Sequence, residues 1–232
     1  MDDLRLKHFG LIGKKLGHSW SAAYFTQKFA AEGIAADYRL YEIADLSELE
    51  AVARNLDGYN VTIPYKTAII PYLQEIDPIA REIGAVNVVK DGKGYNTDWM
   101  GFLGTVTGYG LQVTGEKALI LGQGGAAKAV QYALKKLGID VKMISARGKI
   151  TEDVRQYGLI VNATPLGMYP EVESYPEMAY QELTDKQVLF DCVYNPEETE
   201  FLRRGKAQGA TTINGKRMLE IQAEESKKIF RI

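Results

Sequence analysis

Cysteine and histidine are scarce in this chain of 232 residues, which contains one cysteine, Cys192, and two histidines. A single cysteine excludes a disulfide within the chain and a cluster of thiolate metal ligands. We therefore expect no metal site, and we expect the reducing cytoplasm as the compartment. Because Cys192 lies in an apolar stretch, packing in the core is a commoner role for it than nucleophilic attack.

Two further features are missing from the sequence, an excess of charge of one sign and a long apolar run. The 28 basic residues nearly balance the 30 acidic ones, so no net field attracts nucleic acid or an anionic membrane. No segment approaches the roughly 18 apolar residues of a membrane span, and no apolar signal core opens the chain. Small molecules are the expected partners, and we expect a soluble monomer or homodimer.

Hydrophobic residues make up 46% of the chain, enough for one large core or two smaller ones. In the first part of the chain they alternate between the spacing of strands and that of helices. The elements predicted there are a strand at 7–13, a helix at 19–32, a strand at 37–43, a helix at 47–56, a strand at 59–63, a helix from Asp77 to Ile83 with Pro78 in its first turn, and paired strands at 85–89 and 93–96.

A helix at about 97–106 and a break at 108–110 precede a second alternation of strands and helices. We therefore predict an α/β fold with two domains, joined by a connecting helix about which they close. In the final helix, Gln222 and Ser226 lie on the apolar stripe. The elements predicted in this part are strands at 117–121, 140–145, 158–162 and 187–191, and helices at 125–137, 199–208 and 215–230.

A polar strand end stands out in the first half, at residues 60–66. The alternation predicts that Asn60 and Thr62 share one face of a strand, while Val61 and Ile63 face a core. Proline cannot donate to a strand ladder, so the strand should end before residue 64. Lys66 is then expected on the turn just beyond, beside a hydroxyl and an amide. This arrangement is typical of a binding or catalytic site.

A glycine-rich loop follows the buried strand at 117–121 and opens a helix. The spacing of Gly122, Gly124 and Ala127 fits a dinucleotide fingerprint, which needs a tight turn, close approach to a pyrophosphate and a small residue against the strand. A plain tight turn is the alternative. The next strand ends near Arg147 and Lys149, and no carboxylate lies there to bind a ribose diol. A guanidinium suits the 2′-phosphate of NADP.

Several strings of residues stand out along nearly the whole chain, at 17–21, 60–66, 84–87, 94–98, 122–127, 162–168, 191–196 and 214–223. Read together, they resemble the shikimate dehydrogenase family. The resemblance implies reversible NADPH-dependent reduction of 3-dehydroshikimate to shikimate, in the pathway to chorismate and the aromatic amino acids. It also implies a substrate domain at 1–98, a Rossmann-like NADP-binding domain at 99–212, and a C-terminal helix at 213–232 that returns to the first domain.

Roles for single residues follow from the same resemblance. Lys66 and Asp98 correspond to the catalytic pair beside the reacting oxygen. Ser19, Ser21 and Tyr194 correspond to groups at the substrate carboxylate, and the ring hydroxyls are matched by Thr62, Asn87 and Gln222. The expected cofactor contacts are Gly122, Gln123, Gly124, Gly125, Ala126, Ser145, Arg147 and Lys149, with Asn162, Thr164, Met168 and Gly215 along the nicotinamide wall.

The chain departs from the family pattern in two places. It has Ser145-Ala146-Arg147 where the family often has Asn-Arg-Thr, and the stretch from Arg147 to Leu159 is short for a crossover helix. Ordinary structural roles also remain open for several residues. Lys66 and Asp98 could form a surface ion pair, Ser19 and Asp98 could cap helices, and His18 is more often structural than catalytic at such a position.

Two other functions are compatible with these patterns. One is a quinate-accepting relative that uses NAD, although such relatives can carry threonine at the position of Ser21. The other is a nucleotide-sensing protein that has lost turnover, against which Lys66 and Asp98 argue.

Overall fold

The computed structural model describes residues 5–17, 19–110 and 117–232. His18 lies outside the described residues. The chain forms two compact units, one of Met1–Thr97 with Ala223–Ile232, and one of Asp98–Gln222. The sequence prediction gave the whole of 213–232 to the first domain, whereas contacts divide the last helix between residues 222 and 223.

A six-stranded sheet forms the centre of the first unit, in the order β2-β1-β3-β5-β6-β4. β1 pairs in parallel with β2 and β3, whereas β5 is antiparallel to both β3 and β6. The strands are β1 Lys7–Gly13, β2 Ala36–Glu42, β3 Gly58–Val61, β4 Glu75–Ile76, β5 Val88–Lys90 and β6 Lys93–Tyr95.

Helices of the first unit have clear start and stop signals. Ser19 caps the start of the first helix, Gly33 ends it in the left-handed region at φ 66°, and Asp77 caps the fourth by accepting from two backbone N–H groups. These are the polar N-caps and glycine C-caps that helices favour. The helices are α1 Trp20–Glu32, α2 Leu49–Ala53, α3 Tyr65–Ala68 and α4 Pro78–Ile83.

Two apolar clusters form the core of this unit. Phe9, Phe25 and Phe29 pack with Phe230 of the final helix in one cluster, and Ile12 and its neighbours form the other. Phe9 and Phe230 stack with ring centroids 4.7 Å apart. The C-terminal end of the last helix therefore packs in the core of the first unit, as predicted.

Three local predictions for this unit were wrong. The helix expected at 47–56 is a 3-10 turn at Leu46–Glu48 followed by the five residues of α2. The strand expected at 59–63 ends at Val61. Ile63, expected in a core, is 54% exposed, because the chain leaves the sheet before its side chain can turn inward.

A five-stranded parallel sheet forms the centre of the second unit, in the order β11-β10-β9-β7-β8. The chain moves to one side of β7 with β8 and to the other side with β9, which is the topology of a dinucleotide-binding sheet. β11 was not predicted. The strands are β7 Lys117–Leu121, β8 Asp140–Ile144, β9 Leu159–Asn162, β10 Val188–Asp191 and β11 Thr211–Ile213.

Helices and turns cover both faces of this sheet, with one apolar cluster on each. Between β8 and β9 the described chain contains a 3-10 turn at Val154–Gln156 and no α-helix, in agreement with the short stretch noted in the sequence. None of the helices within the described ranges is long and apolar enough to span a bilayer. The helices are α5 Asp98–Gly108, α6 Gly125–Lys136, α7 Glu200–Lys206 and α8 Lys216–Phe230.

Candidate functional site

One edge of the first unit's sheet collects several of the predicted substrate residues. β1 and β3 run in parallel with Ile12 opposite Val61, so their carboxyl ends lie together. The N–H of Val61 donates to Asn87 O over 2.9 Å, and that of Thr62 donates to Ile12 O over 3.0 Å. Thr62 and Asn87 are therefore placed by the backbone at the same sheet edge.

Lys66 is held close to this edge by backbone contacts. It lies in α3 and not on the simple turn that the sequence predicted. Its carbonyl accepts from Val86 N over 2.7 Å, directly before Asn87 in the chain. The buried Tyr65 donates its hydroxyl to Ile43 O over 2.7 Å, while the Lys66 side chain is half-buried. The short helix thus has fixed ends, and the lysine stays accessible.

Ser19 and Ser21 stand at the start of α1. Ser19 N donates to Leu16 O over 2.7 Å, and its side-chain oxygen accepts from Ser21 N over 3.3 Å. Ser19 is thus the N-cap of α1, which is the capping role that the sequence left open for it. Capping does not prevent ligand binding, because both serines are half-buried and so partly accessible. A hydroxyl accepts and donates at once.

A buried polar network lies behind the sheet edge in the first unit. Tyr38 donates to Asn60 Oδ1 over 2.8 Å, and Asn60 Nδ2 donates to Ser226 Oγ over 3.0 Å and to Asn87 O over 3.2 Å. Asn87 Nδ2 donates to Thr97 Oγ1 over 2.9 Å, and Asn87 Oδ1 accepts from Thr97 N over 2.7 Å. Burial raises the pKa of Tyr38, so its phenol remains a donor. The network fixes the orientation of the Asn87 carboxamide.

The glycine loop in the second unit has the shape that a pyrophosphate needs. Gly122 has φ 123°, and a Cβ there would come 2.9 Å from Ala163 O, whereas a Cβ at Gly124 would meet nothing within 4 Å. Gly124 is the N-cap of α6 and offers no side chain to its first N–H groups. Ala127 is fully buried against the sheet. Uncapped N–H groups at a helix start favour an anion.

Ser145, Arg147 and Lys149 follow β8 at the next strand end, and all three are exposed. Ser145 Oγ accepts from Arg147 N over 3.2 Å, which shapes the turn from which the guanidinium projects. The described residues from Val141 to Ile150 include no carboxylate. The donor set thus fits a phosphate dianion, and the residues present in this unit fit NADP.

The loop after β9 is built around Asn162, whose side chain is saturated with hydrogen bonds. Its Nδ2 donates to Leu166 O over 3.2 Å and to Asp191 Oδ1 over 3.0 Å. Its Oδ1 accepts from Thr164 N over 3.1 Å and from Thr164 Oγ1 over 2.6 Å. Two donors and two acceptors complete the capacity of a carboxamide. The Asn162 side chain therefore shapes the loop, which leaves Thr164 and Met168 half-buried and exposed, respectively.

Asp191 was missed by sequence reasoning, although it ends the buried strand β10. The side chain is fully buried and accepts from Asn162 Nδ2, from Val193 N over 2.9 Å and from Thr199 Oγ1 over 2.5 Å. Burial raises the pKa of Asp191 to about 7, and the three donors offset this only in part. A carboxylate at the end of an otherwise apolar strand was the signal available in the sequence.

The remaining predicted residues also lie in the second unit. Asp98 is the buried first residue of α5, where a carboxylate is favoured by the helix dipole. Tyr194 is half-buried after β10. Gln222 Nε2 donates to Leu219 O over 2.9 Å within α8. A Cβ on Gly215 would lie 2.4 Å from Cys192 O, so only glycine fits there.

Sequence comparison relates most of the chain to named enzymes. The family model for the shikimate dehydrogenase substrate binding domain matches residues 11–89. A protein of Carboxydothermus hydrogenoformans named shikimate dehydrogenase (NADP(+)) is 37% identical over 241 residues, which cover 90% of this chain and 86% of that protein.

Solved structures give the same relation. The shikimate dehydrogenase of Aquifex aeolicus superposes with a TM-score of 0.88 at 33% identity, covering 99% of this chain and 94% of that one. The shikimate 5-dehydrogenase of Thermus thermophilus, solved in complex with NADP(H) and shikimate, gives a TM-score of 0.85 at 30% identity, with coverage of 97% and 93%.

Proposed function

Since the chain belongs to the shikimate dehydrogenase family, we propose that it catalyses the reversible NADPH-dependent reduction of 3-dehydroshikimate to shikimate. The observation that carries the cofactor half of this proposal is the glycine loop at the carboxyl end of β7, where Gly122 cannot bear a side chain. The substrate half rests on the match of residues 11–89 to the family's substrate binding domain.

We assign substrate binding to residues 1–98, NADP binding to 99–212, and the return to the substrate domain to the C-terminal helix within 213–232, which belongs to the first unit from Ala223 onwards. Ser19, Ser21 and Tyr194 bind the substrate carboxylate. The ring hydroxyls are bound by Thr62, Asn87 and Gln222. The polar network behind Asn87 supports this assignment, because a carboxamide whose orientation is fixed can discriminate between hydroxyl positions.

The chemistry divides between two charged residues. Bound NADPH would supply the hydride. Negative charge then develops on the carbonyl oxygen, and the Lys66 ammonium stabilises it and delivers a proton. Asp98 orients the ammonium. In the reverse direction, the same pair accepts the proton of the alcohol.

The cofactor is held by backbone and charged groups of the second unit. The loop residues Gly122, Gln123, Gly124, Gly125 and Ala126 cradle the pyrophosphate with their N–H groups. Around the nicotinamide we place Asn162, Thr164, Met168 and Gly215, with Asn162 acting through the loop that it shapes. The 2′-phosphate is bound by Ser145, Arg147 and Lys149.

Following NADPH absorbance in the presence of 3-dehydroshikimate tests the proposal directly. We expect turnover with this pair, and little with NADH or, in the reverse direction, with quinate. Turnover that favours quinate and NAD would instead identify the quinate-accepting alternative. NADPH binding without turnover of either substrate would identify a nucleotide sensor and contradict the proposal.

We further propose that the enzyme is cytoplasmic and works on small molecules as a monomer or homodimer, without nucleic acid or membrane partners.

A further inference from the structure

Asp191 stands where two loops of the second unit begin. β9 and β10 are adjacent parallel strands with Asp191 paired opposite Asn162, and both residues end their strands. The carboxyl ends of such strands are where ligands bind in open α/β sheets. Both side chains are fully buried, so neither is simply a surface polar group.

The Asp191 carboxylate ties three segments together through hydrogen bonds. Oδ1 accepts from Asn162 Nδ2 over 3.0 Å and from Val193 N over 2.9 Å. Oδ2 accepts from Thr199 Oγ1 over 2.5 Å, and the same threonine oxygen caps α7 by accepting from Leu202 N. Three uncharged hydrogen-bond donors thus offset part of the cost of burying this carboxylate.

The hydrogen bond from Asn162 links the Asp191 carboxylate to the 162–168 loop. Because Asn162 Oδ1 accepts both the N–H and the hydroxyl of Thr164, the orientation of the carboxamide fixes that of Thr164. Thr164 Oγ1 accepts in turn from Leu166 N over 3.2 Å. Loss of the acceptor at residue 191 would leave the buried Asn162 Nδ2 with one partner, Leu166 O. The Asn162 carboxamide would then be less fixed, and its hydrogen bonds to Thr164 would weaken.

We propose that Asp191 is a positioning residue for NADPH, which orients the 162–168 loop through the Asn162 carboxamide without touching cofactor or substrate. This inference rests on the proposed function, in which that loop lines the nicotinamide pocket. The essential property is the acceptor oxygen that faces Asn162 Nδ2, so asparagine, whose carboxamide keeps one acceptor oxygen in a side chain of the same shape, should preserve much of the effect.

The test compares Asp191→Ala and Asp191→Asn with Asp153→Ala, which removes a half-buried carboxylate of the same unit that also accepts from a backbone N–H. Three quantities are measured: the Kd of NADPH by fluorescence titration, the KM for each substrate, and the hydrogen exchange of the 162–168 amides. We expect Asp191→Ala to raise the Kd of NADPH roughly tenfold or more, to speed exchange in the loop, and to change the KM for the ketone substrate far less.

Asp191→Asn should stay within about threefold of wild type in the Kd of NADPH, and Asp153→Ala should match wild type. Unchanged loop exchange in Asp191→Ala, or equal weakening of both substrates, would overturn the proposal. If the alanine variant does not fold, Asp191→Leu removes the acceptors and fills the space. A wild-type protein without turnover would refute the proposed function, whereas the exchange measurement would still show whether Asp191 holds the loop.

Discussion

Lys66 is the side chain on which the proposed chemistry depends most directly. Lys66→Ala removes the proton donor, so kcat should fall by roughly 10²–10⁴ while KM changes little. Steady-state kinetics of NADPH oxidation measure both. Lys93→Ala is the matched control, because Lys93 is a lysine of the same unit that pairs with Glu75 at the surface. Near-normal turnover of Lys66→Ala would remove the lysine from the mechanism.

Asp191 should also make stability depend on pH. Its pKa in the folded chain is about 7, above the ordinary value of about 3.9 in an unfolded chain. The folded state therefore binds the Asp191 proton more tightly than the unfolded state does. The stabilisation that results from this tighter binding is complete below about pH 4 and is lost as the pH rises to about 7. The loss is on the order of 1.4 kcal/mol per pH unit across that window.

Urea denaturation of wild type and Asp191→Asn at pH 5 and pH 8 measures this contribution. Asparagine does not titrate, so the difference in the free energy of unfolding between the two proteins should change with pH in favour of the variant at pH 8. Because other groups titrate equally in both proteins, they cancel in that difference. A difference that is the same at both pH values would show that the Asp191 pKa is not raised.

The networks around Asn60 and Asp191 mark the limit of sequence reasoning at the scale of residues. Asn60 and Ser226 are 166 positions apart yet share a hydrogen bond, and no local pattern encodes such a pair. Ser226 could be placed on the apolar stripe of its helix, but its partner could not be named. The glycine loop was predictable because all of its residues are neighbours in the chain.

At the scale of elements, prediction succeeded where the local signals agreed. The bounds of β1 and β7 match those expected from the sequence, because each is an apolar run with polar or glycine residues at its ends. β4 and β11 are two and three residues long. Segments that short have no periodicity, so pairing with a neighbouring strand decides their structure.

α5 gives a test of helix packing, because it contains glycines in opposite surroundings. A Cβ at Gly101 would lie 2.5 Å from Met218 O of α8, whereas at Gly108 it would meet nothing within 4 Å. Alanine normally stabilises a helix relative to glycine by up to about 1 kcal/mol. Gly108→Ala should therefore stabilise the protein slightly, while Gly101→Ala should destabilise it by roughly 1–3 kcal/mol because backbone must move.

Chemical denaturation of both variants measures the two free energies of unfolding. The pair serves as its own control, since the substitution and the helix are the same. Equal effects at the two positions would mean that helix propensity, and not the close approach to α8, determines the result.

At the scale of the whole molecule, the two compact units are not simple consecutive segments. The first takes its final ten residues, Ala223–Ile232, from the end of the chain. Phe230 of that segment packs with Phe9 of β1, so folding of the first unit requires both ends of the sequence. The family resemblance implied the return of this helix, but only contacts show where along α8 the division falls.

Cofactor preference should appear in the stability of the whole chain, because a ligand that binds only the native state stabilises it. At about 100 times its Kd, a ligand adds about 2.7 kcal/mol to the free energy of unfolding. A guanidinium that pairs with a 2′-phosphate contributes roughly 1.5–3 kcal/mol to binding. NADPH should therefore raise the melting temperature of wild type well above the effect of NADH at equal concentration.

Arg147→Ala should abolish most of that difference, and it should leave the small effect of NADH unchanged because NADH lacks the phosphate. Arg155→Ala is the matched control, since Arg155 is an exposed arginine of the same unit whose guanidinium already pairs with Asp153. Its melting curves with both cofactors should follow wild type. Equal stabilisation of wild type by NADH and NADPH would show that the protein does not prefer the 2′-phosphate. An undiminished NADPH preference in Arg147→Ala would show that a group other than Arg147 binds it.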